Sequence, residues 1–138
     1  MKITIRNLQK KIPITPKRIK GIILKILSGY PKVKAGEITI CFVNDKQIKK
    51  INAKYLNKNT ATDVIAFDLS EAKGSILADI AISADTAYKN AVVYKTRPKD
   101  ELELYVIHGI LHILGYDDNN SKNRALMRRK EQYFLARI

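Results

Sequence analysis

Two histidines stand four residues apart inside an apolar run, and a carboxylate follows ten residues after the first: His108, His112 and Asp118. On a helix, this spacing places both imidazoles on one face. Gly115 is placed to end the helix and let the chain fold back, which can bring Asp118 to the same point. Two nitrogens and one oxygen with an open fourth position form the ligand set of a catalytic zinc site. The alternative is that both histidines are buried, hydrogen-bonded core residues.

The surroundings of the histidines favour the metal centre. The chain has no other histidine, and the apolar run leads into the polar segment 116–120, YDDNN, which is rich in oxygen ligands. Asp117 there offers a second carboxylate that can coordinate if Asp118 cannot reach. Gly109 occupies the position at which the zinc-protease motif H-E-x-x-H carries its general base, so a peptidase of that type is disfavoured.

The segment 108–118, HGILHILGYDD, resembles the signature H-G-x-L-H-L-x-G-Y-D-H of the YbeY family of metal-dependent endoribonucleases. Ten of its eleven positions agree or differ conservatively. Segments 52–56 (NAKYL), 62–67 (TDVIAF) and 78–82 (ADIAI) are similar to the family's N-x-x-Y-R, T-D-V-L-S-F and G-D-I-x-I motifs. The resemblance runs in the family's order from about residue 38 to the C-terminus.

The resemblance implies a metal-dependent single-strand endoribonuclease that matures the 3′ end of small-subunit ribosomal RNA and acts in ribosome quality control. It implies one Zn²⁺ ion, or another divalent transition metal, held by His108, His112 and Asp118. Such an ion would lower the pKa of a bound water and polarise a phosphodiester oxygen. The implied partners are RNA, chiefly ribosomal RNA, and the ribosome or its small-subunit proteins.

Two positions depart from the family pattern. Asp118 replaces the third histidine, and aspartate is an accepted zinc ligand that is shorter and anionic. Its bound water should be less acidic, and Mn²⁺ or Fe²⁺ should compete better. Leu56 replaces an arginine implied to contact the substrate phosphate, and leucine has no equivalent of a bidentate phosphate contact. Lys54 and Lys58 are candidates for part of that role, as point charges.

These departures keep two other functions open. One is an RNA- or ribosome-binding module whose catalysis is weakened or lost. The other, less favoured, is a metallohydrolase that acts on a different phosphoester. RNA binding that is indifferent to metal removal would indicate the first, and turnover of small phosphoesters the second.

Further polar residues are candidates for orienting a ligand or contacting substrate. Asp79 lies on a strand that the family pattern also marks, and it is equally interpreted as a strand-end cap. Thr62 and Asp63 are expected to shape the loop beside the site, or simply to form the turn before a strand. Glu101 lies seven residues before His108; a carboxylate near the positive end of the helix is the preferred interpretation.

Composition narrows the partners and the compartment. The net charge of +13 favours a polyanion, and RNA, DNA or an anionic membrane surface would each satisfy it. The single cysteine, Cys41, cannot form an internal disulfide and predicts a reducing cytoplasm. The N-terminus lacks a signal-peptide core, and no apolar run is long enough to span a bilayer.

The length predicts one domain, residues 1–138, of the α+β class. Strands are predicted at 2–7 (at a sheet edge), 37–43, 62–67 and 75–82, the last two as a hairpin. About five helices are predicted to surround a mixed four-stranded sheet and a buried central helix that carries the histidine pair. We expect helix starts at Thr15, at Asn44 or Asp45, at Ser83 or Asp85, at 96–98 and at Ser121.

Burial expectations follow from apolar spacing. The central helix is apolar almost all round between residues 104 and 114, so Gly109 in its middle requires a packing or site reason. The second helix should bury Ile48, Ile51 and Tyr55. The last helix should bury Ala125, Leu126, Tyr133 and Phe134.

Overall fold

The computed structural model describes residues 1–138 as an α+β fold of four strands and five helices. Every predicted element is present, with bounds that shift by one to three residues at some ends. In chain order the elements are β1 (Lys2–Asn7), α1 (Pro16–Ser28), β2 (Ala35–Val43), α2 (Asp45–Leu56), β3 (Val64–Asp68), β4 (Ser75–Ser83), α3 (Ala84–Tyr94), α4 (Pro98–Ile113) and α5 (Ser121–Leu135).

The sheet is mixed and has the strand order β1-β2-β4-β3. β1 and β4 pair with β2 in parallel, so the chain must cross over through a helix between parallel neighbours. β3 pairs antiparallel with β4, with Val64 opposite Ile82, which confirms the predicted hairpin. β1 lies at the edge, as predicted. None of the five helices combines the length and the apolar character needed to span a bilayer.

The core lies between one face of the sheet and α4. Val106, Ile107, Ile110 and Leu111 of α4 are fully buried, which confirms the predicted central helix. α1 contributes a second apolar stripe at the predicted helical spacing. That stripe comprises Ile19, Ile22, Ile23, Ile26 and Leu27.

Gly109 has the packing reason that its sequence position requires. A Cβ at this residue would lie 3.0 Å from Cγ2 of Ile80 and 3.3 Å from Cγ1 of Val64. The glycine therefore lets α4 approach β3 and β4 closely, and the same approach fixes where the neighbouring His108 and His112 lie relative to the sheet.

The apolar face of α5 differs from the expectation. Met127 and Phe134 are buried, whereas Ala125, Leu126 and Tyr133 are exposed. The inward face of α5 carries Met127, Glu131 and Phe134. Because one of these residues is a carboxylate, apolar spacing alone predicts the wrong face of the helix as buried. The N-cap is Asn120, whose side chain accepts from the Asn123 amide, and not Ser121.

The expected burial of Tyr55 is also wrong. Only α2 packs on the second face of the sheet, where Ile48 and Ile65 are buried and Ile51 is half-buried. Tyr55 meets the ring of Phe67 edge-on at 5.5 Å between centroids and stays 60% exposed. One helix cannot cover the whole face, so its last turn remains open to solvent.

Substitution of Gly109 tests the close approach of α4. We expect Gly109→Val to lower the free energy of unfolding by about 1–3 kcal/mol, because the added methyl groups overpack the contact with Ile80. Gly21→Ala is the matched control, since nothing lies within 4 Å of a Cβ there. It should stabilise the protein by up to about 1 kcal/mol through helix propensity. Denaturant unfolding measures both, and an unchanged Gly109→Val would contradict the packing account.

Candidate metal centre

The end of α4 turns the chain back toward its own histidines. The Gly115 amide donates to the His112 carbonyl at 3.0 Å, and the Tyr116 amide donates to the Leu111 carbonyl at 3.0 Å. Gly115 has a φ of +103°, a conformation that glycine adopts without strain. The return loop then runs past Asp118 to the cap of α5, so this turn positions the carboxylate.

Three candidate ligand atoms lie close together, as the spacing predicts, and form what we term the triangle. His108 Nε2 and His112 Nε2 lie 3.1 Å apart. Asp118 Oδ2 lies 3.5 Å from the first nitrogen and 3.6 Å from the second. Zinc bonds of about 2.0–2.1 Å at tetrahedral angles require ligand atoms about 3.3–3.4 Å apart. The triangle therefore fits one small divalent ion with a fourth position left open.

Glu131 of α5 contacts His108 at the ring nitrogen that faces away from the triangle. Its Oε1 lies 3.1 Å from His108 Nδ1, and its side chain is only 14% exposed. A carboxylate at Nδ1 keeps the proton on that nitrogen and leaves the Nε2 lone pair free for a metal. The sequence analysis did not identify Glu131, because it considered only the apolar residues of α5. The feature that indicates its role is that it is the one carboxylate on the inward face of α5, between Met127 and Phe134.

The charges around His108 act on its protonation. Burial by itself lowers the pKa of His108, but the hydrogen bond and charge of Glu131 outweigh it, helped by the charges of Asp63 and Asp118. The net result is a pKa above the ordinary histidine value. Because a metal ligand must be deprotonated, a proton and a cation compete for this ring.

A cleft of about 460 Å³ opens beside the second histidine. His112 lines it together with Leu56, Lys58 and Thr62. Leu56 is 46% exposed there and presents an apolar surface where the resemblance implies an arginine. Lys58 brings a positive charge, so the cleft can accept an anionic chain beside the triangle.

Thr62 and Asp63 form the turn that leads into β3. Asp63 Oδ1 accepts from the Val64 amide at 2.8 Å and from Thr62 Oγ1 at 3.2 Å. The Asp63 carbonyl accepts from the Ser83 amide at 2.8 Å, which ties the turn to the end of β4. Their geometry supports the interpretation that they shape the rim of the cleft.

Several candidate residues lie away from the triangle. Asp79 lines a separate cleft on the opposite face of the sheet, with Cys41 and Tyr55, so it cannot orient either histidine. Side chains alternate along β4, and Ala78 and Ile80 take the face toward α4. Asp117 is exposed and is not part of the ligand group.

Two further candidates have other partners. The ammonium of Lys54 sits 5.1 Å from the centroid of the Tyr55 ring, outside the lining of the cleft beside His112. Glu101 is buried in the first turn of α4 and accepts from Thr96 Oγ1 at 3.1 Å, which matches the preferred interpretation of a helix-start carboxylate.

Known proteins resemble this chain over nearly its whole length. The family described as Endoribonuclease YbeY matches residues 4–138. A Syntrophus aciditrophicus protein named Endoribonuclease YbeY is 42% identical, and the alignment covers 98% of this chain and 89% of the relative. A Desulforamulus reducens protein of the same name is 32% identical, with 100% and 97% covered.

The fold is also found in a solved structure. The solution structure of a Thermotoga maritima protein aligns with a TM-score of 0.66 at 25% identity. The alignment covers 96% of this chain and 86% of that protein. The α+β arrangement is therefore shared with a structure determined by experiment.

Removal of the Asp118 carboxylate tests its role as a ligand. We expect Asp118→Ala to lower the metal content of the purified protein, because the triangle loses its only oxygen. Elemental analysis beside the unaltered protein measures this. Asp117→Ala is the matched control and should retain the metal. Full retention in Asp118→Ala with loss in Asp117→Ala would assign the third ligand to Asp117.

Removal of the Glu131 charge tests the support behind His108. Glu131→Gln should weaken metal affinity by about 10–100-fold, the usual effect of removing a partner that orients a histidine ligand. Competition with a chromogenic chelator measures the affinity. Glu71→Gln, an exposed carboxylate between β3 and β4, should leave it unchanged. Equal affinities in all three proteins would contradict the assigned role.

Proposed function

The chain belongs to the YbeY family of endoribonucleases, and from this premise we propose that it cleaves single-stranded RNA with a divalent metal ion held by His108, His112 and Asp118. The observation that carries the proposal is the triangle of ligand atoms with separations of 3.1, 3.5 and 3.6 Å. The carboxylate of Glu131 supports it, because it directs one imidazole lone pair toward the centre of that triangle.

Zinc is the metal we propose. The ligand separations match tetrahedral zinc, and two imidazoles with one carboxylate are an accepted catalytic ligand set. When bound, the ion supplies Lewis-acid stabilisation of the charge that develops on the phosphodiester oxygens. A carboxylate in place of a third imidazole reduces the net positive charge of the loaded site, which makes Mn²⁺ and Fe²⁺ stronger competitors.

The protein's own groups position the substrate. We propose that the cleft beside His112 holds an unpaired strand. Lys58 contributes a point charge to a phosphate there, and Leu56 contributes only apolar contact. The net charge of +13 draws RNA to the surface and predicts strongly salt-dependent association.

The substrate class we propose is ribosomal RNA, with cleavage that matures the 3′ end of the small-subunit RNA and serves ribosome quality control. Family membership supports this assignment, and so does the positive charge. On the same grounds we propose that the protein acts in the cytoplasm, with the ribosome or its small-subunit proteins as partners. We propose that residues 1–138 act as one YbeY-like metallohydrolase domain.

A second candidate function is an RNA- or ribosome-binding module with weakened catalysis. Leu56 favours it, because the cleft lacks a bidentate phosphate contact at that position. The two functions differ in what metal removal does: catalysis is lost, whereas binding through lysines and arginines persists.

Metal removal and ligand substitution test the proposed activity. We expect the metal-loaded protein to cut an unstructured RNA oligomer and the chelated protein to cut it at least about 10³-fold more slowly, because several kcal/mol of charge stabilisation are lost. His112→Ala should be as inactive as the chelated protein. Denaturing gel electrophoresis of end-labelled RNA measures cleavage.

Reloading provides the control against a contaminating nuclease. Activity should return when Zn²⁺ or Mn²⁺ is added to the chelated unaltered protein and should not return in His112→Ala. A folded, metal-loaded protein that binds RNA but cuts none with any divalent ion would contradict the nuclease and favour the binding module.

A further inference from the structure

A further cleft, of about 310 Å³, lies at the C-terminal ends of α1 and α5. Three cations line it, and no carboxylate does. None of these cations takes part in an ion pair. With the tyrosines around them they form a group that we term the basic tyrosine cluster: Lys25, Tyr30, Tyr116, Lys130, Tyr133 and Arg137.

The cluster is linked to the metal centre through residues that are adjacent in the chain. Lys130 precedes Glu131, the residue behind His108, and its ammonium lies 5.8 Å from the centroid of the Tyr116 ring. The Tyr116 hydroxyl lies 2.9 Å from that of Tyr30. Tyr116 itself stands in the return loop two residues before Asp118. The cluster therefore adjoins the return loop and α5, the two elements that carry Asp118 and Glu131.

Another part of the cluster is the exposed Tyr133 ring, which has the Arg137 guanidinium on one face. The Arg137 guanidinium carbon lies 3.5 Å from the centroid of the Tyr133 ring, and this ring is 50% exposed. Arg137 Nη1 also donates to the Tyr133 carbonyl at 2.8 Å. Lys25 Nζ donates to the Arg137 carbonyl. These donors complete helix ends, whose partial negative charge favours cations there, and no carboxylate pairs with any of the three.

Rings interleaved with unpaired cations suit a single-stranded nucleic acid. Each base has an aromatic face that stacks on tyrosine, and each phosphate needs a cation. An acidic peptide would use the cations but has no general need for the rings. The connection to a centre proposed to act on phosphodiesters favours RNA over such a peptide.

We propose that the basic tyrosine cluster binds the RNA strand on one side of the scissile phosphate, while the cleft lined by His112 and Lys58 holds the other side. The two clefts share no residue: His112 lines the first, and Lys130, which precedes Glu131, lines the second. This inference rests on the proposed nuclease function. In this proposal the cluster contributes to the binding of long substrates, and the metal centre carries out the chemical step.

The test compares RNA lengths with the metal-loaded protein. Substrates are unstructured RNAs of about 5 nucleotides, near the lower end of the site sizes of single-strand binding grooves, and of about 20 nucleotides, beyond the upper end. In Lys130→Gln/Arg137→Gln and in Tyr133→Leu, KM for the long RNA should rise about ten-fold. We expect kcat for the long RNA and both constants for the short RNA to stay at the values of the unaltered protein.

Binding measured without metal separates this inference from the nuclease proposal. Fluorescence anisotropy with the long RNA in chelator should show about ten-fold weaker binding in both variants. For the charge variant, the slope of log K against log salt should be shallower by about 0.7 for each phosphate that the protein no longer neutralises. If the unaltered protein cuts no RNA, the nuclease proposal fails, and this titration alone decides the role of the cluster.

Lys73→Gln/Lys99→Gln is the matched control, since it removes the same charge in the β3–β4 turn and the first turn of α4. It should change KM and binding less than two-fold. Two outcomes would overturn the inference. One is an equally weakened affinity in this control, which would reduce the effect to net charge. The other is unchanged KM and binding in folded cluster variants, which would leave the surface to an acidic protein partner.

Discussion

The close packing of α4 against the sheet is the constraint on which the rest of the structure depends. Gly109 lets the helix approach Ile80 and Val64, and Ile107, Ile110 and Leu111 are fully buried around it. A helix fixed this firmly holds its side chains in narrow rotamer ranges. The stripe that carries the two histidines is the part left half-open, so a rigid core presents two imidazoles at one rim.

The metal centre is also positioned by elements that are distant in sequence from α4. Gly115 reverses the chain and returns Asp118 to the histidines, and α5 then lays Glu131 behind His108. The carboxylate occupies a place in the inward stripe where an apolar residue would pack better. Burying an acidic side chain is unfavourable without a partner, and the imidazole N–H supplies one. The ligands of the site therefore come from α4 and the return loop, whereas α5 supplies the carboxylate that orients the His108 ring.

Positive charge is distributed around this centre in different ways. In the cleft beside His112, Lys58 stands next to the apolar Leu56. In the basic tyrosine cluster, three cations without carboxylate partners line a cleft together with Tyr30 and the half-exposed Tyr133. Four lysines and arginines form ion pairs with carboxylates, among them Arg18 with Glu103 at 2.6 Å, and the others do not. The cations of the cleft and of the cluster therefore belong to a wider positive surface, and their proximity in the chain to the metal centre is what makes them candidates for contact with a bound strand.

The sequence by itself determined the order of elements, the mixed sheet and the histidine pair with its returning carboxylate, because periodicity and short-range spacing are local properties. Only the tertiary structure decided what meets across the chain. It excluded Asp79, which the strand alternation turns to the far face. It also supplied Glu131, whose place between Met127 and Phe134 is a signal only once the inward face of α5 is known. The apolar stripe of α5 was misassigned for the same reason: its register depends on His108, twenty-three residues away in the chain.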